Sequence, residues 1–482
     1  MAKISISKAA LAVSAVALGV TGGAFAGVPG YVDPTPGSAN FDLTVDAGYI
    51  SAADGSVIYM WGLHTPDRSL MQYPAPTLIV NEGDEVSITL TNCLDGEAAA
   101  ENTSLIFPGF DVTATGGVAG AATREAAPTC NAADSVTYTF TADHAGTFLY
   151  QSGTNISVQS EMGLGGALIV RPTGFLHRDE MDIPDARPTA DPTVATEDPF
   201  NYVPQSGNQI AYGTGTDFDY EYLYVLTDID PDIHEMVRIG DMAGAKSRDG
   251  KAVYWMINGR AGPDTFFAND VPWLPTQPYG SMTQMQPGQK VLVRTVSLGR
   301  DLHPFHTHGN NLRVVAVDGN LLSSVPGSGI PDLGFSDFTV SGIPGQTFDG
   351  VFEWSDLGMG WDIFDEATQH PVEWHEPSAR TDGTHGGVIP VSLPGIPDLT
   401  FGGFYSGSPY LGSFGQLPPG EGGLNLNGGF FYMWHSHNEK ELVNNDIFPG
   451  GMMTMLIVEP FLDGNGDQLV IPRGSIFEKT AN

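Results

Sequence analysis

Two short stretches of this chain hold five of its twelve histidines. In LHPFHTHGNN (302–311) they are His303, His306 and His308; in FYMWHSHNEKE (431–441) they are His435 and His437. On a β-strand, alternate side chains point to opposite faces, so residues two apart share one. His306 and His308 therefore make one same-face pair and His435 and His437 another, with Ser436 turned the other way. If the two strands lie side by side, four imidazoles converge, with His303 close behind them. That is enough to hold a transition metal. Imidazole sites favour copper over the other divalent first-row ions, and zinc fits the same ligands. An isolated histidine is ordinarily a surface or satisfied core residue; two runs this dense argue for ligation.

The elements that must position these residues are short and β-branched. APTLIVNEGDEVSITLTN (75–92) and SVTYTFTADHAGTFLYQSG (135–153) each read as strand, turn, strand, and GGALIVRP (165–172) as one strand more. The C-terminal half repeats the plan. QMQPGQKVLVRTVSL (284–298) parallels 79–91, YMWHSH (432–437) parallels FLYQSG (148–153), and GGMMTMLIVEP (450–460) parallels GLGGALIVRP (163–172). Three landmarks in the same order predict a duplicated all-β sandwich, with no long helical periodicity anywhere. The expected domains are 41–172 and 218–461. An acidic, Pro-rich linker (173–217) joins them, a Gly/Pro-rich insertion (356–428) interrupts the second, and 462–482 is a tail.

Composition narrows the setting. Lys plus Arg number 20 against 56 Asp plus Glu, a formal net charge of −36. Such a chain repels nucleic acid and suits solubility or a saline habitat. Residues 1–26 read as an export signal: Lys3 and Lys8, the short apolar run AALAVSAVALGV, then AFA before Gly27. No other run approaches a membrane span. The expected location is periplasmic or extracellular, where Cys93 and Cys130, the only cysteines, can bridge.

HPFHTHG (303–309), then HSH (435–437) and GGMM (450–453), with INGRAGPDTF (257–266) before them, resemble the multicopper oxidase family. The resemblance implies two tandem cupredoxin-like Greek-key β-sandwiches, copper, dioxygen and a small-molecule reductant, with oligomerisation open. It further implies that His306 matches a type 2 copper ligand, that His308, His435 and His437 match ligands of the type 3 pair, and that His303 matches one ligand of a blue mononuclear site. The chain departs from the pattern sharply. Ile106 and Pro108 stand at one N-terminal pair of ligand positions, and Gln151 and Gly153 at the other. Ser436 replaces the blue-site thiolate and Glu441 the next histidine, with Met452 or Met453 at the axial place. An alcohol stays protonated near neutral pH and ligates poorly, so Ser436 is expected to bond a neighbour in its own core.

Smaller signals stay secondary. Glu439, Glu441 and Asp446 could ligate, partner an imidazole or shuttle protons; in so acidic a chain a solvated loop is the default reading. His370, His375 and His385 are irregularly spaced, DGNGDQ (463–468) lacks the glycine and bidentate glutamate of a calcium loop, and His64, His144, His177 and His234 stand alone. The sequence thus points to an exported protein that binds copper through a His cluster in its C-terminal cupredoxin-like domain, with oxidoreductase activity without a blue site left open. Metal sequestration and a structural or interaction module at the cell surface are the alternatives.

Overall fold

Residues 85–92, EVSITLTN, alternate apolar and polar, and they form a strand whose Val86, Ile88 and Leu90 enter a core while their neighbours face outward. Alternating strands of this kind, with others buried on both faces, build the described residues of the computed structural model. It describes residues 28–173, 209–354, 408–409 and 430–458, apart from Pro34, Thr214, 286–288 and Pro449. The signal-like segment, most of the linker and insertion, and the tail lie outside the described residues.

Two sandwiches result. In the first, a five-stranded sheet runs in the order Val57–His64, Ser38–Ser51, Glu85–Asn92, Val136–Thr141, Thr113–Gly116. It packs on a four-stranded sheet ordered Tyr31–Val32, Leu78–Asn81, Gly165–Arg171, Gly146–Gln151. In the second, a seven-stranded sheet built around Tyr220–Ile229, Lys290–Ser297 and Thr347–Glu353 packs on a six-stranded one. The latter holds Thr283–Met285, Met453–Val458, Phe430–Ser436, His303–Thr307 and Thr339–Gly342 in that order, with Ser408–Pro409 added beside Phe430–Ser436. The repeated sequence landmarks occupy matching places. Leu78–Asn81 lies parallel to Gly165–Arg171, as Thr283–Met285 lies parallel to Met453–Val458. Gly146–Gln151 is antiparallel to Gly165–Arg171, as Phe430–Ser436 is to Met453–Val458.

The sandwiches meet through strands buried on both faces. Along Tyr220–Ile229, Tyr220, Tyr222, Tyr224 and Leu226 enter the second core. The intervening Leu223 and Val225 join Leu149, Ala167 and Ile169 of the first sandwich in a cluster of their own. Charged residues lock this interface. Glu221 pairs with Arg171 across it and with Arg294 Nε at 2.9 Å. Burial would raise the Glu221 carboxyl, but Arg171 and Arg294 outweigh it and hold it at about 2. Arg294 Nη1 also donates to Thr147 Oγ1 at 2.9 Å, and Thr147 Oγ1 to Asp349 at 2.7 Å.

Helix enters as a fitting between sandwiches. Asp230 caps Pro231–Arg238 by accepting from Asp232 N–H, with Pro231 in the first turn, and Ile233 and Val237 close one end of the first core. Where the linker was expected to end, Gln209–Ile210 pairs with Asp217–Phe218, and Ala211 is buried with Phe218 and Leu292. Among the described residues no helix is long and apolar enough to cross a membrane.

Cys93 and Cys130 form a disulfide with a sequence separation of 37. Loop-closure entropy for such a loop is on the order of 3–4 kcal/mol. Replacing both cysteines with alanine should lower the unfolding free energy by about that amount in urea titrations; a loss below about 1 kcal/mol would contradict the entropic account.

Candidate metal centre

Strand His303–Thr307 runs antiparallel to Phe430–Ser436, with His306 opposite His435 and Phe305 opposite Ser436. Phe305, Tyr432 and Trp434 fill the core of the second sandwich. Alternation therefore places His306 and His435 on the outer face of the six-stranded sheet. His308 and His437 continue the same parity just past the strand ends. Trp434 Nε1 donates to the His308 carbonyl at 2.9 Å, and His437 N–H donates to the Pro304 carbonyl at 2.7 Å. Gly309, at φ 97°, turns the chain away directly after His308, a conformation that glycine adopts without a Cβ penalty.

The rings converge. Nε2 of His435 lies 3.3 Å from Nε2 of His308, and ligand atoms of His306, His308 and His435 all lie within 4.8 Å of one another. His437 sits at the rim, exposed, its ring centroid 4.7 Å from that of His306 and 5.9 Å from that of His435. The far nitrogens are anchored: His306 Nδ1 is 2.7 Å from Thr339 Oγ1, and His435 Nδ1 is 2.6 Å from the Ser436 carbonyl. A carbonyl only accepts, so His435 carries its proton on Nδ1 and presents a bare Nε2 toward His308. Burial, and then the neighbouring His308, His435 and His437, push His306 down to about 4. Burial with His308 and His437 does the same to His435, against its bond to the Ser436 carbonyl. At neutral pH both rings are unprotonated, the form that binds a metal.

His303 does not join this group. Three residues from His306, it has the opposite parity and points into the sandwich. Its Nδ1 lies 3.0 Å from Glu441 Oε2, and its Nε2 lies 3.8 Å from Asp228 Oδ1. Burial would lower its pKa, but Asp228 and Glu441 outweigh it and lift His303 to about 9. An imidazolium has no lone pair to offer. Glu441 likewise departs from the solvated-loop expectation, being fully buried, whereas Glu439 is exposed and Asp446 pairs with Lys440 at the surface. Ser436 faces inward and accepts from Asn438 N–H at 3.1 Å, the neighbourly bond expected of it. Met452 is core, and Met453 stands opposite His435 in register.

The N-terminal positions hold no imidazole. Ile106 and Gln151 exchange backbone hydrogen bonds at 2.8 and 3.2 Å. A Cβ at residue 153 would fall 2.7 Å from Ile106 Cγ2, so the side chain at 106 occupies the space beside Gly153. Elsewhere, His234 is buried with Nδ1 2.6 Å from the Tyr59 carbonyl, His144 pairs with Asp143, and His64 lies against the Thr65 carbonyl. His177, His370, His375, His385 and the DGNGDQ turn lie outside the described residues.

Residues 70–174 match the family described as multicopper oxidase. Laccase-4 of Trametes villosa is 34% identical over 114 residues, which is 23% of this chain and 21% of that laccase; the match thus spans about a fifth of its relative. Among solved structures, the chain is similar to the blue copper oxidase of Nitrosomonas europaea (18% identity, 86% of this chain and 85% of that one, TM-score 0.49). It is also similar to the laccase of Botrytis aclada (16% identity, 93% and 58%, TM-score 0.46). The family resemblance seen in the C-terminal histidine motifs is thus matched from the N-terminal half. The two β-sandwiches lie in tandem along the chain, and the family match falls on the first.

The histidine environments set opposite pH limbs for the metal-free chain. His303 is raised above its ordinary 6.5, so its stabilisation is complete below that value and is lost as pH rises through about 9. His306 and His435 are depressed, so theirs is complete above 6.5 and is lost as pH falls through about 4. Urea unfolding from pH 4 to 9 should show stability falling on both sides of the ordinary histidine range. His303→Gln should flatten the alkaline limb and His435→Gln the acid one; an alkaline limb unchanged by His303→Gln would rule the assignment out.

Proposed function

We propose that this chain, which carries a multicopper oxidase domain over residues 70–174, is an exported copper-binding protein of reduced ligand set. Its metal would be held by His306, His308 and His435, with His437 at the rim, on the outer face of the second sandwich. The observation that carries this reading is the convergence of those three ligand atoms within 4.8 Å. The donor set fits copper: imidazole nitrogens, two of them kept unprotonated by their surroundings. The family match favours copper over zinc. Domains 41–172 and 218–461, the 173–217 linker, the 356–428 insertion and cleavage after residue 26 complete the proposal, with a periplasmic or extracellular location.

Bound copper supplies one-electron redox chemistry. The protein's share is to hold and orient the imidazoles. Thr339 and the Ser436 carbonyl fix the far nitrogens of His306 and His435, and Trp434 fixes the loop of His308. The sandwich interior cannot relay electrons through a blue centre, because Ser436 offers no thiolate and His303 is engaged by two carboxylates. A small-molecule reductant would therefore deliver electrons at the exposed rim beside His437, with dioxygen as the oxidant. The second reading is metal storage without turnover. It is favoured by Ile106 and Gln151, which leave the N-terminal half without ligands at those positions.

The expected preparation binds about one copper per chain, gives a type 2 paramagnetic resonance signal, and shows no intense band at about 600 nm. His435→Ala should abolish uptake. A blue band, or uptake unaffected by His435→Ala, would overturn the assignment. Oxygen consumption with a reductant present separates oxidase from store.

A further inference from the structure

The imidazoles are supported from behind as well as from their sides. Behind the same two strands, a run of polar side chains links His303 to the turn after His437. Asp228 Oδ1 faces His303 Nε2 at 3.8 Å, and His303 Nδ1 meets Glu441 Oε2 at 3.0 Å. Glu441 Oε1 accepts from Asn438 Nδ2 at 2.9 Å, and Asn438 N–H donates to Ser436 Oγ at 3.1 Å. Asp228 is itself fixed, accepting from Arg300 N–H at 2.7 Å and Asp301 N–H at 3.2 Å. Gly299 is needed there, since a Cβ would overlap the Asp228 carboxylate. Asp301 is the other carboxylate near His303.

The two members of its ion pair belong to different halves of the metal centre. His303 opens the strand that carries His306. Glu441 lies in the single 3-10 turn Glu439–Leu442 that follows His437, and Asn438 caps that turn by accepting from Lys440 N–H. We propose that the His303–Glu441 ion pair is a positioning device for the centre: it locks the strand of His306 to the turn after His437, and thereby sets the spacing of the imidazoles on the opposite face. The inference rests on the copper reading above.

The physics is that of a buried, charge-assisted hydrogen bond, short and directional. Removing one partner leaves a buried charge without compensation. The cheapest relief is for the turn at 438–442, exposed over 438–440, to shift toward water, drawing His437 and His435 with it. Alternate parity makes this coupling direct, because inner and outer side chains share one backbone.

Glu441→Gln and His303→Gln should each lower Cu(II) affinity about 10–100-fold and alter the hyperfine splitting of the resonance signal. The double variant, which replaces the ion pair with two amides, should recover affinity to within about threefold. Singles with wild-type affinity, or a double no better than the worse single, would overturn the proposal. If the singles do not fold, Glu441→Asp decides: it keeps the negative charge but draws the carboxylate back from His303 by one methylene. A loss of affinity supports the proposal, and unchanged affinity refutes it. Should the wild type take up no copper, the site reading fails on its own. Positioning is then read on the metal-free chain from the magnetisation transfer between the His308 and His435 rings. Its loss in Glu441→Gln supports the inference, and its persistence there sinks it.

Discussion

The register that sets His306 against His435 is the constraint on which the candidate centre depends. A slip of one residue would exchange the faces of every side chain on the strand, sending the imidazoles inward and Phe305 or Trp434 out to solvent. The core prevents that slip. Phe305, Tyr432 and Trp434 are each almost wholly buried, so the hydrophobic gain that folds the second sandwich also decides which side receives the metal ligands. Chemistry on one face is thus specified by packing on the other.

Behind the cluster, His303 shows how a buried imidazole is accommodated. An inward-facing histidine must be hydrated, neutral or paired. Here His303 is paired: its Nδ1 meets Glu441 at 3.0 Å, its Nε2 faces Asp228 at 3.8 Å, and Asn438 holds the second oxygen of Glu441. The second sandwich therefore carries a fixed internal cation built from its own side chains.

Much of this was legible in the sequence. The strands of EVSITLTN, GTFLYQ and GGALIVR could be read from alternation and turn residues, and the duplication from three ordered landmarks, because both depend on local periodicity. The outward pairing of His306 with His435 followed from parity once the strands were assumed adjacent. His303 was read as lying close behind the four imidazoles, as its odd spacing from His306 requires, but its carboxylate partners were not legible there. Glu441 could not be read, because its burial depends on a carboxylate at Asp228 and a histidine at 303 meeting in space, far apart in sequence. The helix Pro231–Arg238 left a local sign that went unused, an Asp-Pro start ahead of apolar residues at 233 and 237.

The sheet that bears the imidazoles is not the one through which the sandwiches adhere. Leu223, Val225 and Glu221 commit the seven-stranded sheet to the N-terminal half, while the histidines occupy the far layer. The imidazole layer is thus separate from the contact between the halves, and a net charge of −36 would draw a cation toward the chain from solvent.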